Sequence, residues 1–264
     1  MNKEWSMTGM FLIRRVTVVL LLVIFFLFGC ARKGDDTGPG QEPGMDPFTA
    51  QLEDLDLFLI QVDHRIGFIN ARGEVIIQPQ YDYANIFHEQ LAAVAIGGKF
   101  GFINKNNERV IPLTYDLAGN FSDGCANVRT GNKWGYIDRK GEWLVRPTLD
   151  SAWDFSEKLG RFRSGRYFGY VDNEGVTVIS AQFRDARDFS EGYAKVKSGS
   201  IEEQGWGYID ARGRWAVKPL FERAWSFSEG LAAVQPEGER TGYIDYSGNL
   251  VINPVFDMAG YFFE

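Results

Sequence analysis

Two histidines, two cysteines and seven tryptophans are the scarce residues of this 264-residue sequence, and they bound the chemistry it can do. His64 and His88 stand apart with no cysteine near either, which argues against a zinc centre and a histidine-based triad. Ser-x-x-Lys, His-Glu-x-x-His, Gly-x-Ser-x-Gly and the phosphate-cradling Gly-x-x-x-x-Gly-Lys are all missing. The 35 acidic residues offer many carboxylate pairs, but no spacing singles one out for glycoside hydrolysis, which stays a remote reading. The expectation is binding without catalysis, with no catalytic residue, metal or cofactor.

The tryptophans carry the remaining signal. Beyond Trp5 they come as two triplets, Trp134, Trp143, Trp153 and Trp206, Trp215, Trp225. Exposed indoles stack on sugars and anchor peptides, so Trp143, Trp153, Trp215 and Trp225 are candidate ligand contacts. The other reading is that these indoles pack between neighbouring units. Glu202 and Glu203 lie in an insertion at 197–204 beside the second triplet, and loops of repeat arrays often carry contacts.

What must position these residues is one unit written six times. Gly67, Gly101, Gly135, Gly169, Gly207 and Gly242 recur at steps of 34, 34, 34, 38 and 35 residues. A fixed period of this length means a tandem-repeat architecture. Around Gly135 the run is Trp134-Gly135-Tyr136-Ile137-Asp138, which alternates faces with period 2 and ends in a turn signal. No unit sustains a 3.6-residue period, so the repeat is β rather than helical. Each unit reads as a first strand, the strand bearing the glycine, an Asp/Asn-x-x-Gly turn, and a third short strand often stopped by Pro79, Pro147, Pro219 or Pro254. Asn107 takes the turn glycine's place in the second unit. A loop then carries an alanine and a phenylalanine, Phe87, Phe121, Phe155, Phe189, Phe227 or Phe262, and closes on an acid, Glu89 through Glu264. Residues present in all six copies serve the lattice: the glycine for close approach by the next unit, the phenylalanine as a buried plug, the acid as a turn or backbone partner. Cys125 stands in the column of Leu91, Leu159 and Leu231 and reads as a core hydrophobe.

The segments Asn132-Lys-Trp-Gly-Tyr-Ile-Asp-Arg-Lys-Gly141 and Gly205-Trp-Gly-Tyr-Ile-Asp-Ala-Arg-Gly213, with tails of the type Tyr81-Asp82…Ala84…Phe87…Glu89, resemble the WG-repeat (KWG-repeat) family. The resemblance covers residues 57–264, with Ile66, Phe100, Phe168 and Thr241 in place of the tryptophan before the glycine. It implies a β-rich tandem-repeat region and supplies neither catalytic residues nor a settled ligand. The units are 57–90, 91–124, 125–158, 159–192, 193–230 and 231–264. The expected fold is all-β: six three-stranded units in an open, curved stack, because no strand at one terminus is obviously kept to complete a unit at the other. A closed, propeller-like ring of six units is the alternative.

The first 56 residues read as an address. Arg14 and Arg15 precede a 13-residue apolar run, 16–28, too short to span a bilayer and suited to an export signal. Its end, Leu27-Phe28-Gly29-Cys30, resembles the bacterial lipoprotein signal, which implies cleavage before Cys30 and a diacylglycerol on its thiol. An uncleaved anchor with an incidental cysteine is the other reading. Ala31 follows Cys30, so the resemblance implies no inner-membrane retention. The expectation is a signal at 1–29, a lipidated Cys30 heading a Gly/Pro/Asp-rich tether over 30–56, and a cell-envelope location. That is the outer membrane in a diderm, otherwise the outer face of the cytoplasmic membrane. Net charge is −7, and −9 for residues 31–264, with 25 basic against 34 acidic side chains. Nucleic acid is therefore not an expected partner. An envelope protein is the first expectation, a cell-wall glycan the second.

Overall fold

The computed structural model describes residues 57–200 and 204–260, and every regular element in them is a β-strand. The signal segment, Cys30, the tether, Glu202, Glu203, Phe262 and Glu264 lie outside the described residues.

The first sheet is a meander of β1 (Phe58–Val62), β2 (Arg65–Ile69) and β3 (Val75–Tyr81). The second has four strands, β4 (Tyr83–Ala84), β5 (Leu91–Ile96), β6 (Lys99–Asn104) and β7 (Arg109–Tyr115). The third repeats this with β8 (Leu117–Ala118), β9 (Cys125–Thr130), β10 (Lys133–Asp138) and β11 (Trp143–Leu149). The fourth does so with β12 (Ser151–Ser156), β13 (Leu159–Ser164), β14 (Tyr167–Asp172) and β15 (Thr177–Phe183). A fifth meander, β16 (Asp185–Ala186), β17 (Tyr193–Lys197), β18 (Trp206–Asp210) and β19 (Trp215–Ala224), runs on through β19 into β20 (Ala232–Pro236), β21 (Thr241–Ile244) and β22 (Leu250–Phe256).

The chain is thus an all-β tandem array of small antiparallel sheets, as its periodicity implies. The segment read as an alanine-bearing loop, however, is a short strand, and it belongs to the next unit's sheet. Tyr83 and Ala84 pair with Ala95 and Val94, and Leu117 and Ala118 with Arg129 and Val128. Each complete sheet therefore has four strands drawn from two sequence units, the antiparallel arrangement of a propeller blade. The sequence reading found no leftover strand. Among the described residues the structure has one open place at each extreme: the first sheet holds three strands, and 257–260 follows β22 without a strand partner.

Two further corrections concern backbone packing. The repeated glycine admits its own unit's third strand, not the next unit. A Cβ on Gly101 would lie 2.5 Å from the Ile111 carbonyl oxygen, and one on Gly135 2.3 Å from that of Val145. The register explains this: Phe100 pairs with Tyr115 and Phe102 with Ile111, so two steps on β6 face four on β7 and the excess bulges toward the glycine. The prolines do not stop these strands. Pro79, Pro147 and Pro219 lie inside β3, β11 and β19, in the bulge where a missing N–H costs no ladder bond.

The shared columns close the core. Phe121 stands edge-on to Phe102, Phe155 to Tyr136 and Phe189 to Tyr170, with ring centroids 4.7–5.0 Å apart. Burying one such ring stabilises the fold by about 1.5–3 kcal/mol. The hydroxyls of Tyr136, Tyr170 and Tyr208 donate to the carbonyls of Trp153, Arg187 and Trp225, which pins each tail beneath its own unit. The acid column staples neighbours together. Glu89 accepts from Gly124 N, Asp123 from Lys158 N, Glu157 from Gly192 N and Glu191 from Gly230 N. Ser122, Ser156 and Ser190 add hydroxyl bonds to the carbonyls of Phe155, Phe189 and Phe227. Cys125 is buried, and burial, with nearby acids, pushes its thiol up to about 12, as befits a core position.

Candidate functional site

One strand position separates the units from one another. The first long strand of each complete sheet sets a residue opposite the ring that follows the repeated glycine: Ala93 opposite Phe102, Asn127 opposite Tyr136, Arg161 opposite Tyr170, Lys195 opposite Tyr208 and Ala233 opposite Tyr243. Alanine suffices in two of these five places. In the third to fifth units it gives way to an amide and two cations, and the residue two further on, which shares its face, is Arg129, Arg163 or Lys197.

Each polar side chain finds a partner on the tail of its own unit, and Asn127 and Arg161 thereby bridge two sheets. Asn127, 4% exposed, donates through Nδ2 to Asp154 Oδ1 at 2.6 Å. Gly119 makes that contact possible, since a Cβ there would lie 2.5 Å from both atoms. Burial raises the Asp154 carboxyl, while bonds from Asn127 and from the Asn120 backbone oppose the rise. Asn120 also accepts from Asn85 Nδ2 at 2.7 Å, which extends the polar strip to the first unit's tail.

Arg161, 7% exposed, donates Nε to Asp188 Oδ1 at 2.8 Å and Nη1 to the Ala186 carbonyl at 2.7 Å. Its guanidinium lies 4.1 Å from the centre of the Trp153 ring. Lys195 bonds the Ala224 carbonyl and sits 4.5 Å from the centre of the Trp206 ring, on which the Arg187 guanidinium also rests. Burial, reinforced by Arg187, lowers the Lys195 ammonium to about 8. Arg129 carries a buried Nε without a hydrogen-bond partner and lies over Trp134. The strip is thus a local run of cations laid on aromatic rings, crossed by Asp154, Asp185 and Asp188, in an otherwise acidic chain. Its partly exposed cations, Arg129, Arg163, Lys195 and Lys197, suit ligands that present carboxylates or planar polar groups.

The four candidate tryptophans divide. Trp153 borders the strip as the platform for Arg161, and Trp225 follows Ala224, the acceptor for Lys195. Both are half-buried. Trp143 and Trp215 are half-buried against the preceding unit, edge-on to Tyr115 and Phe183 at 5.8 Å. They complete inter-unit packing, and nothing in their contacts joins them to the strip. The reading from tryptophan alone missed Asn127, Arg161 and Lys195. The signal was present: in a column otherwise holding Leu59, Ala93 and Ala233, three successive units carry polar side chains.

A family model described as WG containing repeat matches the chain six times, at residues 66–100, 100–134, 134–166, 168–200, 206–238 and 242–264. No curated protein matches in sequence. Among solved structures, the crystal structure of the eukaryotic initiation factor aligns over 74% of this chain at 10% identity and a TM-score of 0.51. The aligned part spans 62% of that chain, and the likeness is one of fold. BamB from Moraxella catarrhalis aligns over 74% of this chain and 69% of its own at 10% identity, with a TM-score of 0.42.

Proposed function

The chain belongs to the WG-repeat family, and we propose that it is an envelope-anchored binding scaffold that engages a protein partner through the polar strip of its third to fifth units. The observation that carries this reading is the replacement of alanine by Asn127, Arg161 and Lys195 at one strand position, in units whose shared columns already suffice to build the array. Desolvating a guanidinium is costly even when it is paired, so a fold that accepts alanine gains little stability from Arg161. The cations favour a partner presenting acidic side chains. No turnover is assigned to the site. Anchoring rests on the sequence before the repeats: with Cys30→Ser, the chain should keep its signal and lose acylation and membrane retention.

Crosslinking in native membranes, with identification of the captured protein, tests the reading. Arg161→Ala should abolish capture while the chain stays folded; unchanged capture would exclude the strip. A second reading, a carbohydrate ligand, is favoured by Trp153 standing against Arg161, whose guanidinium pairs with Asp188, an indole beside planar polar groups. Under it, purified cell-wall glycan binds the chain directly, and Trp153→Ala removes that binding.

A further inference from the structure

The interior junctions show what an edge of this array is built to receive. In every complete sheet the edge of the first long strand is covered by the preceding unit's tail, β4 on β5, β8 on β9, β12 on β13 and β16 on β17. Asn85 N and Gly119 N continue the pairing by donating to the carbonyls of Ala93 and Asn127. Among the described residues nothing pairs with the equivalent edge of β1. Its apolar side chains are open accordingly: Phe58 is 52% exposed and Leu59 39%, whereas their counterparts Ala92 and Ala93 are each 1% exposed. An uncovered apolar edge without proline or lysine is a template for another strand.

The matching segment stands at the other extreme. Residues 257–260 occupy the sequence place of an interior tail, and the Tyr243 hydroxyl donates to the Gly260 carbonyl at 3.3 Å. That is the clasp which holds the interior tails under Tyr136, Tyr170 and Tyr208. The segment is thus set in tail position and pairs with no strand among the described residues: Met258 is 84% exposed, and Phe256 42% exposed where Tyr115 and Phe183 are buried. Gly260, with open space at its Cβ position, occupies the column of Asn85 and Gly119, whose N–H groups make the interior pairing.

We propose that the free edge of β1 takes the 257–260 segment of a second copy of this chain as an added antiparallel strand. By the register of Ala84 with Val94 and Tyr83 with Ala95, Ala259 lies opposite Ile60 and Met258 opposite Gln61. The contact is head-to-tail, so each added copy exposes a further free edge and assembly continues or closes as a ring of chains. Tail insertion into the same chain's β1 is the competing outcome.

Two full-length chains carrying Cys30→Ser, one with Ile60→Cys and the other with Ala259→Cys, are mixed and mildly oxidised. A disulfide-linked pair formed only in the mixture supports the contact. Absence of that pair overturns it, whether or not a chain carrying both cysteines closes on itself. Light scattering of the Cys30→Ser chain should give a mass that rises with concentration above that of one chain. Gly260→Pro, which removes the N–H that the interior tails donate to the facing strand, should return the mass to one chain with the melting temperature unchanged. A parent chain that stays single at every concentration, or a mass unaffected by Gly260→Pro, would overturn the proposal.

Discussion

Strands β5 and β13 hold the same place in two sheets and are buried alike, yet their chemistry is opposite. Facing the strip, β5 presents Ala93 and Ala95, while β13 presents Arg161 and Arg163. Around both, the glycine, the buried phenylalanine and the acid staple are the same. The difference separates what the array needs from what it carries. A small residue is enough to let the tail strand approach, and the guanidinium requires a carboxylate, a carbonyl and an indole around it. Burial in a repeat is therefore no guide to role until the column is compared across copies.

Several substitutions would break or sharpen this contrast. The largest effect belongs to the shared framework. Phe155→Ala should lower the stability of the fold by about 3–5 kcal/mol in denaturant titration, whatever it does to binding. A loss below about 1 kcal/mol would remove the distinction between framework and strip.

The strip should show a smaller and asymmetric response. Asp188→Ala leaves the buried Arg161 without its carboxylate and should cost about 1–3 kcal/mol. Arg161→Ala should cost less, because it restores the residue of Ala93 and Ala233 and leaves only the half-exposed Asp188 unpaired. Calorimetric melting of both variants gives the order directly, and the reverse order would place Arg161 with the framework.

The smallest effect is in pH dependence. Lys195 titrates near 8 when folded against an ordinary 10.5, so between these values the unfolded chain holds more protons and stability rises with pH. Lys195→Met should flatten that rise between pH 8 and 10.5, relative to the parent, in parallel denaturant titrations. An unaltered slope would mean that the ammonium is not desolvated.

Much of this was legible in the sequence because lattice residues repeat. Six Gly-aromatic pairs, the Asx turns and the phenylalanine column report local backbone and burial, and local rules read them well. Asn107, at a φ of 64°, takes the turn-glycine conformation expected of it. The tail strand was misread because Tyr83–Ala84 is too short to alternate visibly, and it becomes a strand only when the next unit supplies Val94 and Ala95. The tryptophans were weighted by exposure inferred from column variability, but Trp143 and Trp215 settle against a ring of the preceding unit, a contact 28–32 residues away in sequence.

Sequence by itself determined the β-repeat, its period, its turns and the family, because each depends on residues within one 34-residue unit. Tertiary structure alone decided which unit completes which sheet, that the glycine makes room for its own third strand, and that Asn127, Arg161 and Lys195 reach across to the tails. Those facts depend on a strand lying where a Cβ on the glycine would fall and on side-chain bonds of 2.6–2.8 Å across 27 residues, and neither composition nor periodicity encodes such distances.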